Sequence, residues 1–288
     1  MKKYGIVVDS TSSVSEELIK KYNIKVANLT ITTGDKTTEY ISNEEVISTI
    51  KRGKDVKTSQ PSPEVFKQRI EELFSEGYEE VLVITLSSSL SGTFNSANLA
   101  VSMLDEDMQD KTFVFDTESI TMGALYYIEL ACKLLYEDNL NMVQTIKHLT
   151  KAKDQGHLVF VVDDLGTIFR QGRLGRVKYI LGSILRVKPI LVFGRNVLDI
   201  ASRSARGFKG AFKFIEKRVE EFMEKYPGKK YIAWFAYVDE PKVAQSFYEG
   251  LKERFSNLNL KWVGLASHIV AAHVGPGGMG IYLAYEDK

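Results

Sequence analysis

The strongest constraint on the fold is an alternation running through the first half of the chain, where short β-rich apolar runs are separated by amphipathic stretches of helix length. Strands are predicted over residues 5–8, 26–31, 81–84 and 112–115, with helices over 15–22, 44–52, 63–74 and 92–103 between them. That order is the pattern of strands joined by crossover helices on a mostly parallel sheet. Pro63 suits a first helical position behind a Ser62 cap, where its missing N–H costs nothing.

From Thr121 the spacing is helical, with a break near Asn139, until a strand at residues 157–162. Further strands are predicted at 189–193, 197–200, 231–237, 260–265 and 280–285, with helices at 209–225 and 241–255. The expected architecture is α/β with two domains. Residues 1–157 form an N-terminal domain with a mostly parallel sheet and flanking helices, and residues 158–288 form a C-terminal α+β domain with an antiparallel sheet. A length of 288 residues fits two domains sharing a cleft.

Charge narrows the partners. The 38 basic and 37 acidic residues leave a formal net charge of +1 and no polybasic arm, so nucleic acid is not expected. The lone Cys132 lies in an apolar run and reads as a small buried hydrophobe; with one cysteine, no intramolecular disulfide or multi-cysteine metal site is possible. The N-terminal apolar run is too short for a signal peptide, and no segment has the length of a membrane span. A cytoplasmic protein with at most transient membrane contact is expected.

Four polar clusters are predicted just after strands: residues 9–13, 58–61, 87–93 and 116–119. In an open parallel sheet, loops beyond the carboxyl ends of strands converge on one ligand site. Ser12, Ser13 and Ser119 read as caps of the helices that follow. Ser91-Gly92-Thr93 has two open readings: a plain serine cap, or a helix start offering a hydroxyl, backbone N–H groups and close approach to an anion. His273-Val274-Gly275-Pro276-Gly277 is predicted as a turn before the last strand, in which His273 could donate to an anion or be purely structural. His268, in an apolar stretch, reads as core. Gly275, Gly277 and Gly280 match a dinucleotide-binding spacing, but a strand follows them where that motif requires a helix. No metal-ligand spacing and no phosphate-binding loop are present, so neither metal nor cofactor is expected. The basic run Arg170-Gln171-Gly172-Arg173-Leu174-Gly175-Arg176 reads either as a solvated face or as an anion or docking patch.

Taken in order, these segments resemble the DegV family of bacterial fatty-acid-binding proteins, of the FakB type, from end to end. The resemblance is carried by Val8-Asp9-Ser10-Thr11, Lys57-Thr58-Ser59-Gln60-Pro61, Leu86-Ser87-Ser88 with Leu90-Ser91-Gly92-Thr93, Gly172-Arg173, Lys188-Pro189-Ile190 and the His273 segment. It implies a long-chain fatty acid buried between two domains, its carboxylate at the mouth, and a partner fatty acid kinase that phosphorylates it. By motif, Thr58 and Ser91 would hold the carboxylate, supported by Ser59, Gly92 and Thr93, with His273 close by. Arg206 lies near the place of a family arginine beside the head group, with Arg203 equally available. Phe94 stands where tyrosine is common in relatives.

The resemblance agrees with simple energetics. Each buried methylene contributes about 0.8 kcal/mol, so the tail can supply most of the affinity while neutral hydroxyls satisfy the head group. Thr58 and Ser91 would then be holders rather than nucleophiles, with no catalytic residue in the chain. The competing readings are a lipid hydrolase or acyltransferase with a serine or threonine nucleophile and His273 as base, and a phosphotransferase. The first lacks a nucleophile elbow around Ser91 and the second lacks a nucleotide loop.

Overall fold

The computed structural model describes residues 2–163, 165–173, 188–202 and 205–286. In the first part, the elements run β1 (Lys2–Asp9), α1 (Glu16–Tyr22), β2 (Lys25–Ala27), β3 (Thr30–Thr33), β4 (Lys36–Thr38), α2 (Asn43–Lys51) and β5 (Val56–Ser59). They continue with α3 (Pro63–Ser75), β6 (Tyr78–Thr85), α4 (Thr93–Ser102), α5 (Glu106–Gln109) and β7 (Thr112–Asp116). The long helical stretch becomes α6 (Met122–Cys132), a π-helical turn at Lys133–Glu137 and α7 (Met142–Ala152). Then follow β8 (His157–Val161), α8 (Gly166–Arg170), β9 (Ile190–Gly194), β10 (Val197–Ser202), α9 (Gly207–Lys225), β11 (Lys230–Tyr237), α10 (Pro241–Arg254), β12 (Leu258–Leu265), α11 (His268–Val274) and β13 (Met279–Glu286).

A fully parallel sheet in the order β2-β1-β6-β7 carries helices of the first part, as the alternation predicts. The chain leaves β1 toward β2 on one side and returns as β6 on the other, so the loops after β1 and β6 meet at the point where strand order reverses. Ligands of open α/β sheets settle at such points. The second sheet, β10-β9-β8-β13-β11-β12, is antiparallel except for the β11–β12 pair. This is the expected α+β part.

A third, antiparallel sheet, β4-β3-β5, corrects the sequence reading in two places. The single strand expected over 26–31 divides into β2 and β3, which belong to different sheets. Thr58 and Ser59, expected in a loop, lie within β5, where Thr58 is paired with Ile31. The Val-Lys-Thr-Ser segment has little apolar periodicity, and its partner β3 makes it a strand.

Between the two large sheets lies α6. Its residues are apolar around nearly the whole circumference, and most are buried, as a helix packed on all sides requires. Tyr126 contacts Trp234 of β11 and Tyr282 of β13 at ring-centroid distances of 5.1 and 5.5 Å. The same core includes Ile6 and Ile84 of the parallel sheet, so one apolar cluster joins the two parts. Cys132 ends this helix, buried as expected, and burial pushes its thiol up to about 12. Among the described residues, no helix is long and apolar enough to cross a membrane.

Candidate functional site

At the strand-order reversal, the loops are tied by Asp9. Its fully buried carboxylate accepts hydrogen bonds from the Thr11 backbone N–H (2.9 Å), the Thr11 hydroxyl (2.5 Å) and the Leu86 backbone N–H (2.6 Å). Burial raises the Asp9 pKa, and these donors pull it back down. The Asp-Ser-Thr segment therefore fixes loop geometry across β1 and β6. Neither Ser12, Ser13 nor Ser119 caps a helix. Ser12 donates to the Asp9 carbonyl, the cap of α1 is Ser15, and the cap position of α6 is Thr121, which makes no side-chain cap bond.

Beside these loops lies a cavity of about 360 Å³, near the lower end of the range for small-molecule sites and so sized for one slender ligand. It is graded. Leu158, Phe193, Ala236 and Met279 of the mixed sheet form buried apolar wall, whereas Thr58, Ser91, Arg173 and His273 are only partly buried at its polar side.

These four polar groups come from four separate elements. Thr58 projects from β5, and its Oγ1 lies 2.8 Å from Nε2 of His273. His273 sits in the last turn of α11, not in a turn as expected from its glycine-rich surroundings. Gly275, with φ +76°, ends that helix. Ser91 stands before α4, bonded through Oγ to Thr93 Oγ1 (2.9 Å) and accepting from the Thr93 N–H (3.3 Å). The helix-start geometry expected of Ser91-Gly92-Thr93 is present, with Gly92 at the cap position. A side chain at Gly92 would overlap Oε1 of Gln60, whose amide donates to Ser96. Glycine is what lets Gln60 close over this helix start. Ser59 also lines the cavity.

Arg206 does not join them. It is exposed at the start of α9 and is absent from the cavity wall, while Arg203 falls outside the described residues. Among the described residues, the arginine at the cavity is Arg173, which follows α8 after Gly172 turns the chain with φ +71° and whose Nε donates to the Leu90 carbonyl at 3.4 Å. The Gly172-Arg173 pair was legible as a motif, but its basic run offered no sign of which arginine faces inward. Residues 174–176 of that run lie outside the described residues. His268 is not core: it opens α11 half-buried, with its ring edge-on to the exposed Tyr40.

Electrostatics settle the charge states. Burial, assisted by the Arg173 guanidinium, lowers His273 to about 4, so it is neutral near pH 7. Its Nδ1 is buried and has no hydrogen-bond partner among the described residues. The Thr58–His273 spacing is that of a nucleophile and base, but the carboxylate that would orient the base from Nδ1 is missing among the described residues. Ser91 is bonded to Thr93 and not to the histidine. Among the described residues, no group of three or more metal-ligating side chains occurs. The arrangement can hold a carboxylate by hydroxyls and one guanidinium with an apolar chain behind it.

His157, on β8, is also lowered to about 4, by burial and then by Arg218 and Lys225. A histidine held below its ordinary 6.5 binds fewer protons folded than unfolded, so its contribution is intact above pH 6.5 and is lost as pH falls toward 4. Each histidine is expected to cost about 1.4 kcal/mol per pH unit in that window. Asp9, raised, acts in the opposite sense. Urea unfolding of the ligand-free protein at pH 7 and pH 5, compared with His157→Gln, isolates one share; equal pH slopes in the two proteins would refute it.

Comparison with known proteins identifies the family. The family model described as "Uncharacterised protein, DegV family" matches residues 3–286. A DegV domain-containing protein of Clostridium acetobutylicum is 32% identical over 98% of this chain and 99% of its own. A fatty-acid-binding DegV family protein of Thermus thermophilus superposes with a TM-score of 0.88 at 26% identity, over 99% of this chain and 100% of the other. The fatty-acid-binding DegV of Bacillus subtilis gives 0.85 at 27% identity, over 99% and 100%. The chain is an α/β protein of the DegV family.

Proposed function

We propose that this protein binds one long-chain fatty acid, with its tail in the graded cavity and its carboxylate among Thr58, Ser91, Arg173 and His273. The observation that carries the reading is the gradient itself, apolar and buried at one side, polar and partly open at the other. The DegV relatives that bind fatty acids support it. Residues 1–157 supply Thr58 and Ser91, and residues 158–288 supply Arg173 and His273, so the acid lies between two domains.

With His273 neutral, Nε2–H donating to Thr58 Oγ1 frees the Thr58 hydroxyl hydrogen for the carboxylate, and Ser91 donates a second bond. Arg173 supplies the balancing charge, which a buried carboxylate needs. One carboxylate oxygen is then left toward the open side for a fatty acid kinase, a partner that rests on the family resemblance. In this reading the chain is a carrier that performs no chemistry, needs no cofactor and works in the cytoplasm.

Ser91→Ala and Thr58→Ala are each expected to weaken retention of oleate by about 0.5–3 kcal/mol, the range for a donor lost from a buried or charged hydrogen bond. Competitive displacement of a fluorescent fatty acid reads this directly, and unchanged affinity in the double variant would place the carboxylate elsewhere. Phosphorylation of the bound acid only when a second protein is added would support the carrier role. Turnover of ATP by the isolated chain would contradict it.

A further inference from the structure

A second cleft, of about 420 Å³, lies beside the first and shares its supports: Val56 and Lys57 precede Thr58 on β5, and Gln171 lies two residues before Arg173. The Gln171 side-chain amide donates to the Val56 carbonyl at 2.6 Å, fastening the two walls together. Three cations face this cleft, Lys54, Lys57 and Arg170, against one carboxylate, Asp55. Neither lysine has an ion-pair partner among the described residues, and Arg170 bonds only the hydroxyl of Thr167, at 3.3 Å. Many other cations of this near-neutral chain are paired with carboxylates, among them Lys25, Lys153 and Lys188.

Gathering three like charges around a concave space without matching carboxylates costs repulsion, and a doubly charged anion relieves it. Arg170 presents a planar fork suited to phosphate oxygens, the lysines add point charges, and the buried Thr167 hydroxyl, which accepts from Arg170, keeps its own hydrogen to donate. Ile50, partly buried, provides an apolar side. The volume exceeds what orthophosphate alone would fill.

We propose that this cleft binds a soluble phosphomonoester, its phosphoryl group between Lys54, Lys57 and Arg170 and its organic part against Ile50. The site is separate from the acyl cavity, and the inference does not depend on what that cavity holds. The probe is phenyl phosphate, titrated into the full chain by calorimetry and followed by phosphorus NMR, with benzoate as the control for the ring. Saturable binding is expected, weakened about tenfold or more in Lys54→Gln/Lys57→Gln/Arg170→Gln by loss of three charge-assisted contacts. The single Arg170→Gln variant is expected to show a smaller loss. Retention of oleate by the triple variant, expected to match the wild type, reports that the fold is intact. No saturable binding, equal binding of benzoate, binding unaffected by the substitutions, or binding only to vesicles containing phosphatidic acid would each overturn the proposal.

Discussion

A saturated fatty acid shortened from sixteen carbons to ten is expected to bind more weakly by about 5 kcal/mol, between three and four powers of ten, at roughly 0.8 kcal/mol for each methylene no longer buried. The expectation follows from the division of labour in the cavity. In the proposed binding mode the polar side would fix one carboxylate through a few donors, whereas the walls formed by Leu158, Phe193, Ala236 and Met279 are all but closed to water. Head-group contacts are the same for every chain length, so the length series isolates the apolar part. Equilibrium displacement measured across even-numbered acids is the appropriate assay. A loss smaller than one power of ten would mean that the tail does not enter this cavity.

Asp9→Ala is expected to lower folding stability by about 3 kcal/mol, because three buried donors lose their only strong acceptor at once and each unpaired donor costs about 1–3 kcal/mol. Burial itself works against the ionised carboxylate, which is why its pKa is raised and why the net loss falls short of the sum of three bonds. Asp9→Asn keeps one acceptor oxygen but turns an N–H group toward a donor, and is expected to recover less than half of the loss. Because Asp9 joins the end of β1 to the start of the loop that carries Ser91, fatty acid retention should fall with stability in both variants. Urea unfolding reads the first effect, and a loss below about 1 kcal/mol would show that the loops are held by other contacts.

Much of this molecule was legible in its sequence where local patterns decide the outcome. The parallel sheet followed from short β-rich apolar runs alternating with amphipathic helices, and a helix start beside Ser91-Gly92-Thr93, expected from residue 92 and found at Thr93, followed from its serine and glycine. Legibility failed where a distant partner decides. The polar β5 is a strand because β3 pairs with it, and Thr58 meets His273 across 215 positions of sequence. A glycine-rich neighbourhood suggested a turn at His273, yet Gly275 lies just past the helix end, where a positive φ is needed. Arginine is equally at home on a solvated surface and beside an anion, so the sequence left Arg206 and Arg203 open beside the head group and left the run at 170–176 open between a solvated face and an anion patch. Among the described residues, Arg173, which follows the turn at Gly172, is the arginine that lines the cavity.

The central claim, one fatty acid held in the graded cavity, is tested most directly by extracting the protein under native conditions and identifying the released lipid by mass spectrometry. The delipidated protein is then reloaded with the same acid. One long-chain fatty acid per chain is predicted, with reloading to the same ratio and with loss of retention in the Thr58→Ala/Ser91→Ala double variant. A protein that carries no acyl ligand from cells and takes up none when offered would contradict the account.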